Sequence, residues 1–247
     1  MAALQLAEHG QLDLDRPIQD YLPDFAIRSR FTPQPTFTAR QLMTHHAGLP
    51  ADYHKDWNSE EPLRYVRQQL KDEYVAYPPN TISSYSNLGS TVLGHVVETR
   101  AGAPYADWLK TRVLSPMGME QSYVAARLEP DARLAKPYDE EGKPADSLVI
   151  RDIPAGGMVS NVVELGQFIR TVFNHGQTPT GQTLLRPAPC VKKSTEWPCG
   201  KTTGGFYISN SMASAARPCN PSPIARRSSP DWAAASRRPS APKRSTA

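Results

Sequence analysis

The chain has 247 residues, 24 of them Pro, roughly twice the usual share of about 5%, which keeps elements short and excludes a long coiled coil. Apolar residues make up 39% and charged residues 21%, and no window approaches the roughly 18 consecutive apolar residues of a membrane-spanning helix. The formal charge of +4 conceals an asymmetry: residues 1–188 carry 18 Lys and Arg against 22 Asp and Glu, whereas residues 189–247 carry 10 against 2.

Met1-Ala-Ala-Leu-Gln-Leu-Ala-Glu-His-Gly10 reads as the end of a helix, built from good helix formers and stopped at Gly10, with no capping residue ahead of it. It lacks the basic flank and cleavage site of a signal peptide, so export cannot be read from it; the compartment is open, cytoplasmic only as the chain is written. Pro17 and Pro23 bracket one short helical turn. Thr38 with Gln41 predicts a capping box, with Phe37 stapled against Leu42, for a two-turn helix ending before Gly48. A further helix is expected from near Ser59, with Leu63, Val66 and Leu70 on one face. After Tyr77-Pro-Pro-Asn80, Leu88, Val92, Leu93, Val96 and Val97 predict a helix buried on one stripe and ending before Gly102; Pro104 opens the next, carrying Trp108, Leu109 and Val113. Residues 120–150 are aperiodic and read as strand and loop. Asn161 with Glu164 resembles another capping box, opening a helix with Val162, Leu165, Phe168, Ile169, Val172 and Phe173.

Residues 189–247 contain no Leu, and their Ile, Val and Phe are limited to Val191, Phe206, Ile208 and Ile224, about 7% where roughly 20% marks the threshold for a charged segment that folds. This basic Ser/Ala/Pro/Arg-rich tail is expected to build no core, and reads as a disordered terminus or a stretch translated out of frame. Arg226-Arg227, Arg237-Arg238 and Lys243-Arg244 would touch phosphates in a nucleic-acid arm, but no nucleic-acid partner is expected. All three cysteines lie in the tail, so no disulfide framework is implied. The six histidines show no metal-ligand spacing, and Ala155-Gly156-Gly157 lacks the pattern of a phosphate loop; no metal and no cofactor are expected.

The remaining candidate chemistry is Tyr85-Ser86-Asn87, at the start of a helix whose positive end favours negative charge nearby and where an Asn amide can meet a ligand. Around it stand Gly10-Gln-Leu12-Asp-Leu14-Asp-Arg-Pro17, Leu42-Met-Thr-His45-His46-Ala-Gly48-Leu-Pro50, Tyr77-Pro-Pro-Asn80, Leu114-Ser-Pro-Met-Gly-Met119 and Pro154-Ala-Gly-Gly-Met-Val-Ser160. In order and spacing these blocks resemble the serine hydrolases of the class C β-lactamase, penicillin-binding-protein and esterase superfamily, over residues 1–188.

The resemblance implies an α/β (α+β) β-lactamase/transpeptidase-like fold, an antiparallel sheet flanked by helices plus a helical subdomain, incomplete here. It implies acyl transfer on a small-molecule ester, peptide or β-lactam: a Ser in Ser-x-x-Lys attacks the carbonyl, Tyr85 is general base or proton relay, and Asn87 binds the substrate amide and the Lys. The Gly156-Gly157 loop would line the site, and Thr44-His45 would stabilise the fold. Relatives of this kind are often exported or periplasmic. Ser-x-x-Lys belongs just ahead of the segment matching Met1-Ala-Ala-Leu4, so the chain is expected to begin after its own nucleophile. The Ser-x-x-Lys it does contain, Ser240-Ala-Pro-Lys243, holds Pro and follows Tyr85, and Lys201-Thr-Thr-Gly204 is one residue too long for the Lys-Thr-Gly strand. The expectation is therefore a hydrolase fragment without activity; the alternative is a non-catalytic binding or interaction protein that keeps the fold.

Overall fold

The computed structural model describes residues 1–186 apart from Pro130 and Leu148; the tail, with Ser240–Lys243 and Lys201–Gly204, lies outside the described residues. The helices are α1 (Ala2–Glu8), α2 (Ala39–Met43), α3 (Leu63–Gln69), α4 (Asn87–Ala101), α5 (Tyr105–Leu109), α6 (Ile153–Gly156) and α7 (Val162–Phe173). The strands β1 (Tyr123–Val124) and β2 (Met158–Val159) pair antiparallel, Tyr123 opposite Val159. No helix among the described residues is long and apolar enough to cross a membrane.

The longest helix, α4, is the hub: α1, α2, α3, α5 and α6 all pack against it. It buries Leu88, Gly89, Thr91, Val92, Gly94, His95, Val96 and Val97, so it is enclosed on several sides, and the single apolar stripe expected from the sequence is too narrow a reading. Gly94 shows why one stripe does not suffice: a Cβ there would lie 2.2 Å from Pro154 Cγ, so α6 sits against bare helix backbone. Around α4 the core gathers Leu6, Ile18, Leu22, Phe37, Leu42, Leu49 and Leu70, with Phe37 meeting Phe25 edge to face at 5.8 Å.

Local signals set most boundaries. Thr38 Oγ1 accepts from the Gln41 amide while Gln41 Oε1 accepts from the Thr38 amide, the expected capping box. α3 begins at Leu63 and not near Ser59, because Pro62 holds Glu61 out of helical conformation; Glu60 instead pairs with Arg127 at 2.7 Å. α5 ends at Leu109 and the next turn widens over Lys110–Leu114. Pro116 has no N–H for the Arg112 carbonyl, which accepts from Gln5 Nε2 at 3.0 Å. At α7, Asn161 Oδ1 caps the Glu164 amide at 3.0 Å, but the reciprocal half of the box is missing: the Glu164 carboxylate accepts from the Gln121 amide at 2.8 Å and from the Ser122 hydroxyl. Burial pushes that carboxyl up, and these hydrogen bonds outweigh burial and hold it below its ordinary range.

Candidate active site

The site is made where two chain segments are laced together ahead of α4. α2 closes at Met43, where Thr44 Oγ1 donates back to the Arg40 carbonyl at 2.9 Å and His45 turns into the left-handed region at φ 57°. Gly48 follows at φ 70°, and a Cβ on it would meet the Tyr77 carbonyl oxygen at 2.0 Å, so only glycine allows this approach. Its carbonyl accepts from the amides of Ala76 and Tyr77, those of His45 and His46 from Ser84 and Asn80, and that of Ala51 from Asn87. Residues 45–51 and 76–87 are thus fixed against each other through the backbone.

Ser86 takes the N-cap of α4 in an extended conformation, so its neighbours point the other way. The Ser86 hydroxyl faces inward, accepting from the Gly89 amide at 2.8 Å and donating to the Pro50 carbonyl at 2.6 Å. Tyr85 is 56% exposed, so the phenol stands at the surface and not inside the protein. Its hydroxyl donates to Asn87 Oδ1 at 2.8 Å, and Asn87 Nδ2 donates to Asp52 Oδ1 at 2.8 Å. Asp52 thereby settles which end of the amide faces Tyr85. The phenol oxygen keeps acceptor capacity, and Asn87 Nδ2 keeps a second hydrogen for a ligand carbonyl.

Behind Tyr85 lies His45, with ring centroids 4.7 Å apart and planes at 42°. His45 Nδ1 accepts from the Ser86 amide at 3.3 Å, a role for the unprotonated nitrogen. Burial, then the neighbouring His46, holds the His45 imidazole below its usual range, which keeps that acceptor in place. His45 also lines a hollow of about 240 Å³ bounded by Ala3, Leu42, Met43, Ser90 and Leu93.

The structure therefore brings Tyr85 and Asn87 together, and sets beside them two groups that the sequence reading did not place there. His45, expected only to stabilise the fold, backs the Tyr85 ring. Asp52 carries no local signal, because its partner is 35 positions away. Gly156 and Gly157 lie at the end of α6, whose Pro154 rests on Gly94, two turns along α4 from Asn87. Just ahead of them, the buried Arg151 binds the carbonyls of Tyr53 and Lys55 and so holds the loop that follows Asp52. Among the described residues no three of His, Cys, Asp or Glu converge as metal ligands.

The sequence pattern of the Beta-lactamase family matches residues 1–213. Penicillin-binding protein 4 of Amycolatopsis lactamdurans is 28% identical over 193 residues, 75% of this chain and 50% of that protein. Esterase EstB of Burkholderia gladioli is 32% identical over 163 residues, 58% of this chain and 39% of that one. Among solved structures, a class C beta lactamase from Rhodobacter sphaeroides superposes with TM-score 0.58 at 27% identity, covering 74% of this chain and 51% of that chain. A penicillin binding protein from Bacillus halodurans gives TM-score 0.59 at 23% identity, over 75% and 58%. The chain thus spans about two fifths to three fifths of the length of these relatives.

Proposed function

The chain belongs to the Beta-lactamase family, and from that premise we propose that its site serves serine acyl transfer on an ester, an amide or a β-lactam, with Tyr85 carrying the proton and Asn87 holding the substrate. The carrying observation is the exposed Tyr85 hydroxyl, hydrogen-bonded to an Asn87 amide that Asp52 orients. A serine hydroxyl is a weak nucleophile unless a neighbouring base takes its proton as it attacks the carbonyl carbon. In this reading Tyr85 relays that proton: its oxygen takes up the serine proton as the phenol's own proton passes to the neutral lysine of the Ser-x-x-Lys turn. The same relay run backwards protonates the leaving group, and water then hydrolyses the acyl-serine ester. Asn87 Nδ2 donates to the substrate carbonyl with the hydrogen that Asp52 does not use.

On this reading the nucleophile comes from a Ser-x-x-Lys turn ahead of Tyr85, and these 247 residues contain none there. Loss of a serine nucleophile costs on the order of 10⁶ in kcat, so the chain itself is expected to show no turnover of a fluorogenic ester or a chromogenic cephalosporin. Joining a helical turn with Ser-x-x-Lys in frame to α1 is expected to restore hydrolysis, and Tyr85→Phe to lower it by about 10²- to 10⁴-fold. Turnover by the unmodified chain that vanishes in Tyr85→Phe yet survives serine-directed inhibitors would overturn the proposal.

A further inference from the structure

The two ends of the Asn87 amide divide the site. Oδ1 faces the Tyr85 hydroxyl and the proton relay, whereas Nδ2 faces Asp52 Oδ1 at 2.8 Å. Asp52 is exposed, at the start of the loop that the buried Arg151 holds through the Tyr53 and Lys55 carbonyls. Asp15, Asp20 and Asp72, also at the surface, each hold an arginine. Asp52 does not: among the described residues no Lys, Arg or His pairs with it. A carboxylate without a cation thus stands beside the amide hydrogen left for a ligand.

We propose that Asp52 is a specificity-determining residue that selects substrates carrying a free amine one carbon from the carbonyl, that is, aminoacyl esters or amides. The inference rests on the reading of Asn87 as the holder of the substrate carbonyl. The two hydrogens of a planar amide point about 120° apart, so acceptors on them stand about 5 Å from each other. An ammonium one carbon from a carbonyl lies about 3 Å from the carbonyl oxygen. It therefore fits between that oxygen and the Asp52 carboxylate, where a charge-assisted hydrogen bond forms. A substrate carboxylate in the same place meets like charge, and an apolar group there leaves Asp52 only water.

NMR titration of the isotope-labelled full chain with phenylalanine methyl ester and with methyl hydrocinnamate, at about pH 6 where the amine is charged, tests this. The two probes differ only in the amine, each offers a single carbonyl, and a chain expected to show no turnover leaves both intact. Both esters should shift the side-chain amide signal of Asn87. At least one enantiomer of the amino ester is expected to bind at least about fivefold more tightly than methyl hydrocinnamate, the upper end for an exposed ion pair. In Asp52→Asn, whose amide oxygen can still accept from Asn87, the two dissociation constants should converge to within about twofold of each other. If that variant fails to fold, Asp52→Ser carries the same expectation. Equal affinity for the two esters in the parent chain, or a preference that persists without the carboxylate, overturns the proposal and leaves the reading of Asn87 standing. If neither ester moves the Asn87 signal, that reading fails and the proposal falls with it.

Discussion

Arg151 heads the largest side chains that are fully withdrawn from water. Its guanidinium grips Asp152 through two hydrogen bonds of 2.8 and 3.0 Å, donates to the Tyr53 and Lys55 carbonyls, and lies over the Tyr53 ring at 5.3 Å. A buried charge is tolerated only when partnered to this degree. Arg151→Met leaves the Asp152 carboxylate and two carbonyls without their donor, and the expected loss is about 3 to 5 kcal/mol in a urea titration. Arg151→Lys should recover only part of it, because one ammonium cannot reproduce the planar fork. None of this is visible at sequence level, because the carbonyls that Arg151 binds belong to residues 96 and 98 positions away. The Tyr85–Asn87 contact is local, made because the extended Ser86 sets both side chains on one side; the Asp52 contact is made by chain closure.

At the scale of elements, the Thr38 and Asn161 caps formed as expected, while the helix start near Ser59 and the facing directions did not. The Thr38–Gln41 box, the Ser86 cap of α4 and the Asn161 cap of α7 all form through side-chain bonds spanning three residues. What each helix packs against depends on distant chain. α4 had to accept α6 at Gly94, and Gly94→Val, whose Cβ would overlap Pro154, should cost about 1 to 3 kcal/mol with a matching drop in Tm. α7 shows the same limit from the other side: its periodicity reads correctly as helix, but Ser122 and the Gln121 amide claim Glu164, which turns inward with Thr171 and Phe168 and leaves Val162, Ile169 and Phe173 exposed.

For the molecule as a whole, acid should act through His95. It is 93% removed from solvent on α4, its Nδ1 has no partner among the described residues, and burial, then Arg67 and Arg64, push its pKa down to about 4. The unfolded chain binds the proton near 6.5 while the folded chain does not, so the stabilisation from neutral His95 is complete above pH 6.5 and is lost as the pH falls toward 4. Urea midpoints measured across that window should decline in the parent chain and flatten in His95→Leu. The ordered motif blocks carried the resemblance to the family, and the caps and apolar spacing gave most helix positions, because those depend on neighbours in the chain. The tertiary structure alone decided that Asp52 orients Asn87, that His45 backs Tyr85, that Arg151 is buried and that α7 faces outward. Each of these is a contact across tens of residues, and which surfaces meet is decided by the packing of the whole core.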